Sequence, residues 1–267
     1  MGAALSSGQT AAVVILALLC LGLTGYLGYT IKKNEGEGNT KLLYACTFVT
    51  LCMTVDAILL GTVSNFGFGQ NLGTGILDLI AISVLAYGLF TVYESFTSGN
   101  EPLVRWLGIG ALALLAFAQF PAILSYSGAT GVEALQATIV MTMLAFLALL
   151  IHAGIRAYHF QQFFDRDWFN QFRIMFAIIL VCYFILFTCS CVLVAAFTGT
   201  AAFNFFAAGY PATVFFYYGC LATIATALGH FSPLLKEVAD DTNGGESGNN
   251  TAGTSGDVQM TPAKEDA

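Results

Sequence analysis

Two aspartates sit where charge is expensive. Asp56 and Asp78 each fall inside a long apolar run, and an ionisable side chain held in hydrocarbon marks a functional site by default. Their runs, 41–62 and 74–95, are joined by a short uncharged link, Thr62 to Gly73. Consecutive helices with short links are usually neighbours. Asp56 stands about six residues before the end of its run and Asp78 about five after the start of its own. At about 1.5 Å of rise per residue, both lie roughly 8 Å below the same surface. The two carboxyls can therefore face one pocket, with Glu133 at the mouth of a later run nearby. The outer half of the spans, where both acids lie, offers no Lys, Arg or His to pair with them. A carboxylate left without a partner away from water takes up a proton or recruits a cation. The chemistry this predicts is proton or cation binding. The plainer alternative is two protonated acids, each hydrogen-bonded to a neighbouring Thr, Tyr or backbone carbonyl.

Other reactive residue types are less suggestive. His152 and His159 are seven apart on one helix face, about 10 Å along it, too far for one metal ion. His230 ends the last apolar run, where an imidazolium suits a helix C-terminus. All three read as interfacial histidines without a ligand, and they do not supply the facing pairs a b-type haem needs. The cysteines, Cys20, Cys46, Cys52, Cys182, Cys189, Cys191 and Cys220, all lie in apolar runs and read as small buried side chains rather than disulfide partners. Cys189 and Cys191 point to different helix faces and lack the paired spacing of a zinc site. No hydrolase, kinase, P-loop or zinc motif is present, so no enzymatic activity is expected. Gly22, Gly25 and Gly28 read as a close-packing face, as do Gly108, Gly110 and Ala111.

The elements that must carry these residues are set by composition. The 267-residue chain is 57% hydrophobic and 9% charged, with a mean hydropathy of +0.76. A soluble domain has roughly 25% charged residues, and a membrane span needs about 20 apolar ones. Seven spans are predicted, at about 10–31, 41–62, 74–95, 102–124, 132–157, 173–197 and 212–230, forming one transmembrane domain over 1–239. The fold class is an all-α seven-transmembrane-helix bundle. All nine basic residues fall beside the odd-to-even links or after the last span: Lys32, Lys33, Lys41, Arg105, Arg156, Arg166, Arg173, Lys236 and Lys264. Basic residues near span ends resist translocation, so the N-terminus is expected outside and the C-terminus in the cytoplasm.

No cleavable leader is expected. The first run has no basic residue before it, has Lys32-Lys33 after it, and is too long for a signal segment. Met1 to Ser6 fits a myristoylation pattern, which the outward N-terminus makes accidental. The segment 240–267 is rich in Asp, Asn, Gly, Ser, Thr and Glu and is expected to be a disordered acidic tail. Its sequon, Asn249-Asn250-Thr251, falls on the cytoplasmic side and should stay unmodified. The net charge of −7 comes largely from this tail. The absence of a basic patch argues against nucleic acid. The inner link, 160–172, mixes Phe160, Phe163, Phe164, Trp168, Phe169 and Phe172 with polar residues, a composition suited to lipid headgroups. The expected partners are the lipid bilayer and a cytoplasmic protein at that link or the tail.

The chain resembles the microbial (type 1) rhodopsins. The likeness is carried by Leu21-Gly22-Leu23-Thr24-Gly25-Tyr26, the short basic link, Lys41-Leu42-Leu43-Tyr44 and Leu59-Leu60-Gly61, with a fainter echo in Arg173, Tyr183 and Phe187. Asp78 falls roughly where that family places a carboxylate on its third helix. The departures are specific: Gly75 stands where the family has an Arg, Leu180 and Phe184 replace a Trp and a Pro, and Ala212 to His230 contains no Lys. A retinal Schiff base needs an amine, so no retinal or other cofactor is expected. The resemblance implies an opsin-like fold without light-driven pumping. The expected function is that of a receptor-like or signalling/interaction protein. The alternative is a proton or cation channel or transporter using Asp56 and Asp78.

Overall fold

The computed structural model describes residues 7–34, 40–62, 68–95, 102–126, 132–161, 165, 168–198 and 210–235. Among these are seven α-helices and no strand: α1 (Ser7–Lys33), α2 (Thr40–Thr62), α3 (Phe68–Ser95), α4 (Pro102–Tyr126), α5 (Val132–Phe160), α6 (Phe169–Thr198) and α7 (Tyr210–Phe231), with a 3-10 turn at Ser232–Leu234. The largest departures from the hydropathy reading are the starts of α3 and α6, at Phe68 rather than 74 and at Phe169 rather than 173. Pro102 and Pro211 occupy first turns, where a missing N–H costs nothing. The helix α4 runs on through Pro121 to Tyr126.

Five helices, α1, α2, α4, α5 and α6, contain stretches long and apolar enough to cross a membrane. These fit a multi-pass integral membrane protein. The outer surface agrees: Leu103 is 77% exposed and Trp106 68%, and Phe117, Val181 and Phe184 are also exposed. In water such a surface would aggregate; in lipid it is solvated. Helix hydroxyls are satisfied locally, as hydrocarbon requires. Thr24 donates to the Cys20 carbonyl, Thr54 to that of Thr50, and Ser190 to that of Leu186.

Each helix packs on the next, and α7 closes the ring against α1, α2 and α6 while also touching α3. The core is apolar, with Leu16, Leu27, Met53, Phe146, Met175, Tyr183 and Ile224 among the fully buried side chains. The buried stripe of α1 is Val13, Leu16, Cys20, Leu27 and Thr30. Gly22, Gly25 and Gly28 lie off that stripe, and a Cβ on any of them would meet nothing within 4 Å. They are therefore not a packing face within the bundle, contrary to the sequence expectation. The same holds for Gly110. Close approach occurs instead at Gly108, where a Cβ would lie 2.8 Å from the His152 imidazole, and at Gly229, where it would lie 2.8 Å from Leu27.

The link between α5 and α6 also differs from expectation. Phe160, Trp168, Phe169 and Phe172 are buried. Phe160 stacks on Phe169 with ring centroids 4.8 Å apart, Trp168 sets its edge on Phe172 at 5.9 Å, and Phe172 reaches Phe231 of α7 at 5.7 Å. An aromatic ring buries 150–250 Å², so these rings close the basic end of the bundle by packing on one another instead of standing exposed at its surface. The polar partners Gln161 and Asp165 remain exposed. Phe163, Phe164, the N-terminal six residues and the segment 240–267 with its sequon lie outside the described residues.

Candidate functional site: a carboxyl pair between three helices

Asp56 is fully buried, at 0% exposure, on the face of α2 shared with Val49, Cys52 and Met53. Asp78 is half-buried on α3. The two side chains are close enough to act on one another directly, carboxyl to carboxyl. The helix hairpin thus brings together the two residues singled out from the sequence. Their depths along the helices differ from expectation. Six residues separate Asp56 from Thr62, about 9 Å of helix. Ten separate Asp78 from Phe68, about 15 Å, because α3 begins earlier than its hydropathy indicates.

The pair is poorly satisfied. The Tyr218 hydroxyl of α7 donates to Oδ2 of Asp78 at 3.3 Å. Asp78 Oδ1 and both oxygens of Asp56 are buried without a hydrogen-bond partner. The adjacent hydroxyls are spent elsewhere: Thr50 donates to the Thr47 carbonyl and Thr54 to that of Thr50. The alternative of two separately hydrogen-bonded acids therefore holds for Asp78 and fails for Asp56. Two carboxylates this close, away from water, cannot both carry charge. One proton held between them would supply the missing donor. Cys52, one turn before Asp56 on α2, faces both acids.

Among the described residues, no group of three His, Cys, Asp or Glu side chains is placed to hold a metal ion. Glu133 falls in the first turn of α5, but its side chain lies outside the described residues. Tyr218 was missed by sequence reasoning, although it stands about as deep in its span as Asp56 does in its own. Counting depth on span seven would have found it.

The histidines are elsewhere. His152 is buried at the α4–α5 contact rather than interfacial, its ring filling the space left by Gly108. His230 pairs through Nδ1 with the Tyr26 hydroxyl, joining α7 to α1. Neither approaches the carboxyl pair. A second meeting of side chains was also not foreseen: the thiols of Cys182 on α6 and Cys220 on α7 lie within hydrogen-bonding reach of each other. Oxidation by copper(II)-phenanthroline should therefore join them, each thiol losing a proton and the two electrons passing to copper. Peptides from α6 and α7 should then remain linked after proteolysis until reductant is added, and Ser at either position should abolish the link. Failure of the pair to cross-link while another cysteine pair does would contradict this helix packing.

Comparison with protein-family models, with curated proteins and with solved structures finds no match to this chain.

Proposed function

We propose that this chain is a seven-span membrane protein of opsin-like topology, with its N-terminus outside and its C-terminus cytoplasmic. It carries no covalent retinal and no enzymatic centre. It acts by conformation, as a receptor-like protein, in response to uptake and release of a proton at Asp56–Asp78. The observation that carries this reading is the buried carboxyl pair itself, lacking donors at Asp56 and tied through Tyr218 to a third helix. Removing its proton would drive α2 from α3 or draw water between them. Either change alters the contacts of α7, which packs on both.

A sensor is favoured over a conducting path by what lies toward the basic end. From the pair onward the bundle is sealed by Leu42, Leu43, Val49, Leu85, Leu89, Ile224 and Leu228, all buried. The buried hydroxyls on that side of the pair, Thr50 and Thr54 of α2, are committed to their own helix, donating to the carbonyls of Thr47 and Thr50. The absence of any Lys in 210–231 removes the amine a retinal would need.

The reading is tested by alkylation of Cys52 with a membrane-permeant maleimide in proteoliposomes, scored against Cys46 in the same molecules. The Cys52-to-Cys46 ratio should rise several-fold at alkaline pH in the native protein and stay constant in the Asp56→Asn, Asp78→Asn double variant. Proton flux across the same liposomes should remain at the protein-free level. An unchanging ratio removes the sensor reading, and flux abolished by the double variant replaces it with a conducting one.

A further inference from the structure

A second site lies at the opposite end of the bundle. Between the last turn of α5 and the first three turns of α6 is a cavity of about 520 Å³. Its polar wall is Gln161 and Arg173, both exposed. Its floor is Phe160, stacked on Phe169 and 4.7 Å from Phe176 between ring centroids. Its far wall is Ala177 and Leu180, the latter about 10 Å farther along α6 than Arg173. The flanking residues Ile174, Ala177 and Val181 are exposed, so the cavity opens sideways onto the lipid-facing surface. The Arg173 guanidinium meets no acidic side chain among the described residues.

This is a fixed arrangement of charge and oil. A planar guanidinium presents a fork of donors matched to a phosphate, and beside it Gln161 offers an amide donor. Beyond them the wall is wholly apolar for two helical turns. An occupant must carry negative charge at one end and a hydrocarbon chain at the other. The aromatic floor is rigid, since its rings are locked in the bundle's closing cluster, so the cavity is preformed. Its position at the end bearing the basic residues places it at the leaflet boundary, where anionic lipid is attracted to cationic side chains.

We propose that this cavity binds an anionic phospholipid, its phosphate on Arg173 and Gln161 and one acyl chain along Ala177 and Leu180. The site shares no residue with the carboxyl pair and stands or falls apart from the sensor reading. The test is native mass spectrometry of the full chain released from nanodiscs of mixed phosphatidylglycerol and phosphatidylcholine. The native protein should retain phosphatidylglycerol in preference. Arg173→Gln should weaken retention about tenfold, as expected for loss of a charge-assisted hydrogen bond. Arg105→Gln should leave it unchanged, because Arg105 lies elsewhere, over the Phe90 ring. Leu180→Trp should exclude the chain while keeping the charge, and so should also weaken retention. Millimolar inorganic phosphate should not compete. Equal losses in the Arg173 and Arg105 variants would mean diffuse charge attraction and overturn the proposal. Full retention in Leu180→Trp, or displacement by phosphate, would overturn the lipid assignment.

Discussion

Asp56→Asn is expected to abolish most of the loss of stability that this protein should suffer as pH rises into the alkaline range. The expectation rests on counting protons. On the function proposed above, one proton sits between Asp56 and Asp78 in the folded bundle, where both oxygens of Asp56 and Oδ1 of Asp78 otherwise lack a donor. Once the helices separate and water reaches the two acids, that proton is released. The folded state thus binds more protons than the unfolded one, and stability falls as pH rises. For a single proton the slope is about 1.4 kcal/mol per pH unit while the folded state keeps the proton and the unfolded state has lost it, and it levels off once the folded pair deprotonates. Asparagine at position 56 removes one of the two like charges and brings an amide whose N–H groups can serve Asp78 Oδ1. The remaining acid is half-buried and already receives the Tyr218 hydroxyl. The variant should therefore unfold at nearly the same temperature across the neutral to alkaline range, measured in nanodiscs. At the alkaline end it should exceed the native protein by about 2–4 kcal/mol, the scale of an uncompensated buried charge. Parallel pH profiles for the two proteins would show that the proton is held elsewhere.

That pair was legible before any coordinates because two features of the sequence converge on it. Apolar runs announce spans, and a short link makes successive spans neighbours, so two acids at like distance from one link must come near each other. The hydropathy signal blurs where polar residues enter a helix. Gly69, Asn71 and Gly73 read as a turn but belong to the first turns of α3, because propensity is a weak prior that the rest of a long helix overrides. Phe169 to Phe172 likewise reads as a polar–aromatic link and is helix, since its aromatic face is buried by Phe160 and Phe231. Tyr218 depended on how α7 crosses α3, which no local pattern encodes. The contact of Cys182 with Cys220 is of the same kind, a matter of rotation about two helix axes. The glycines show most plainly what periodicity leaves open. Gly22, Gly25 and Gly28 repeat at helical spacing and face outward, whereas Gly229, outside any such repeat, sits where α7 closes on α1 and α2.

Gly229→Ala is accordingly expected to be among the most damaging single-methyl additions in this chain. A Cβ there would stand 2.8 Å from Leu27 Cδ2, 3.1 Å from Cys46 Cβ and 3.3 Å from Leu43 Cδ1. The two leucine tips can turn aside in part, though all three neighbours are buried. The Cys46 Cβ cannot, because it is fixed by the backbone of α2. The methyl must therefore push α7 away from α2 at a loss of about 1–3 kcal/mol. Gly25→Ala, with nothing within 4 Å, should instead stabilise α1 by up to about 1 kcal/mol through helix propensity. Opposite shifts of the unfolding midpoint in the two variants would confirm the packing, and equal shifts would refute it. Cys46→Ala should not rescue Gly229→Ala, since it keeps the offending Cβ. The displacement should also be felt at the other end of α7, three turns away, where Tyr218 holds Asp78 across 3.3 Å. A helix tilted off α2 lengthens that bond beyond use. Gly229→Ala should thus change the alkaline unfolding profile, whereas Gly108→Ala, whose methyl meets only the His152 ring between α4 and α5, should lower stability and leave the profile's shape intact.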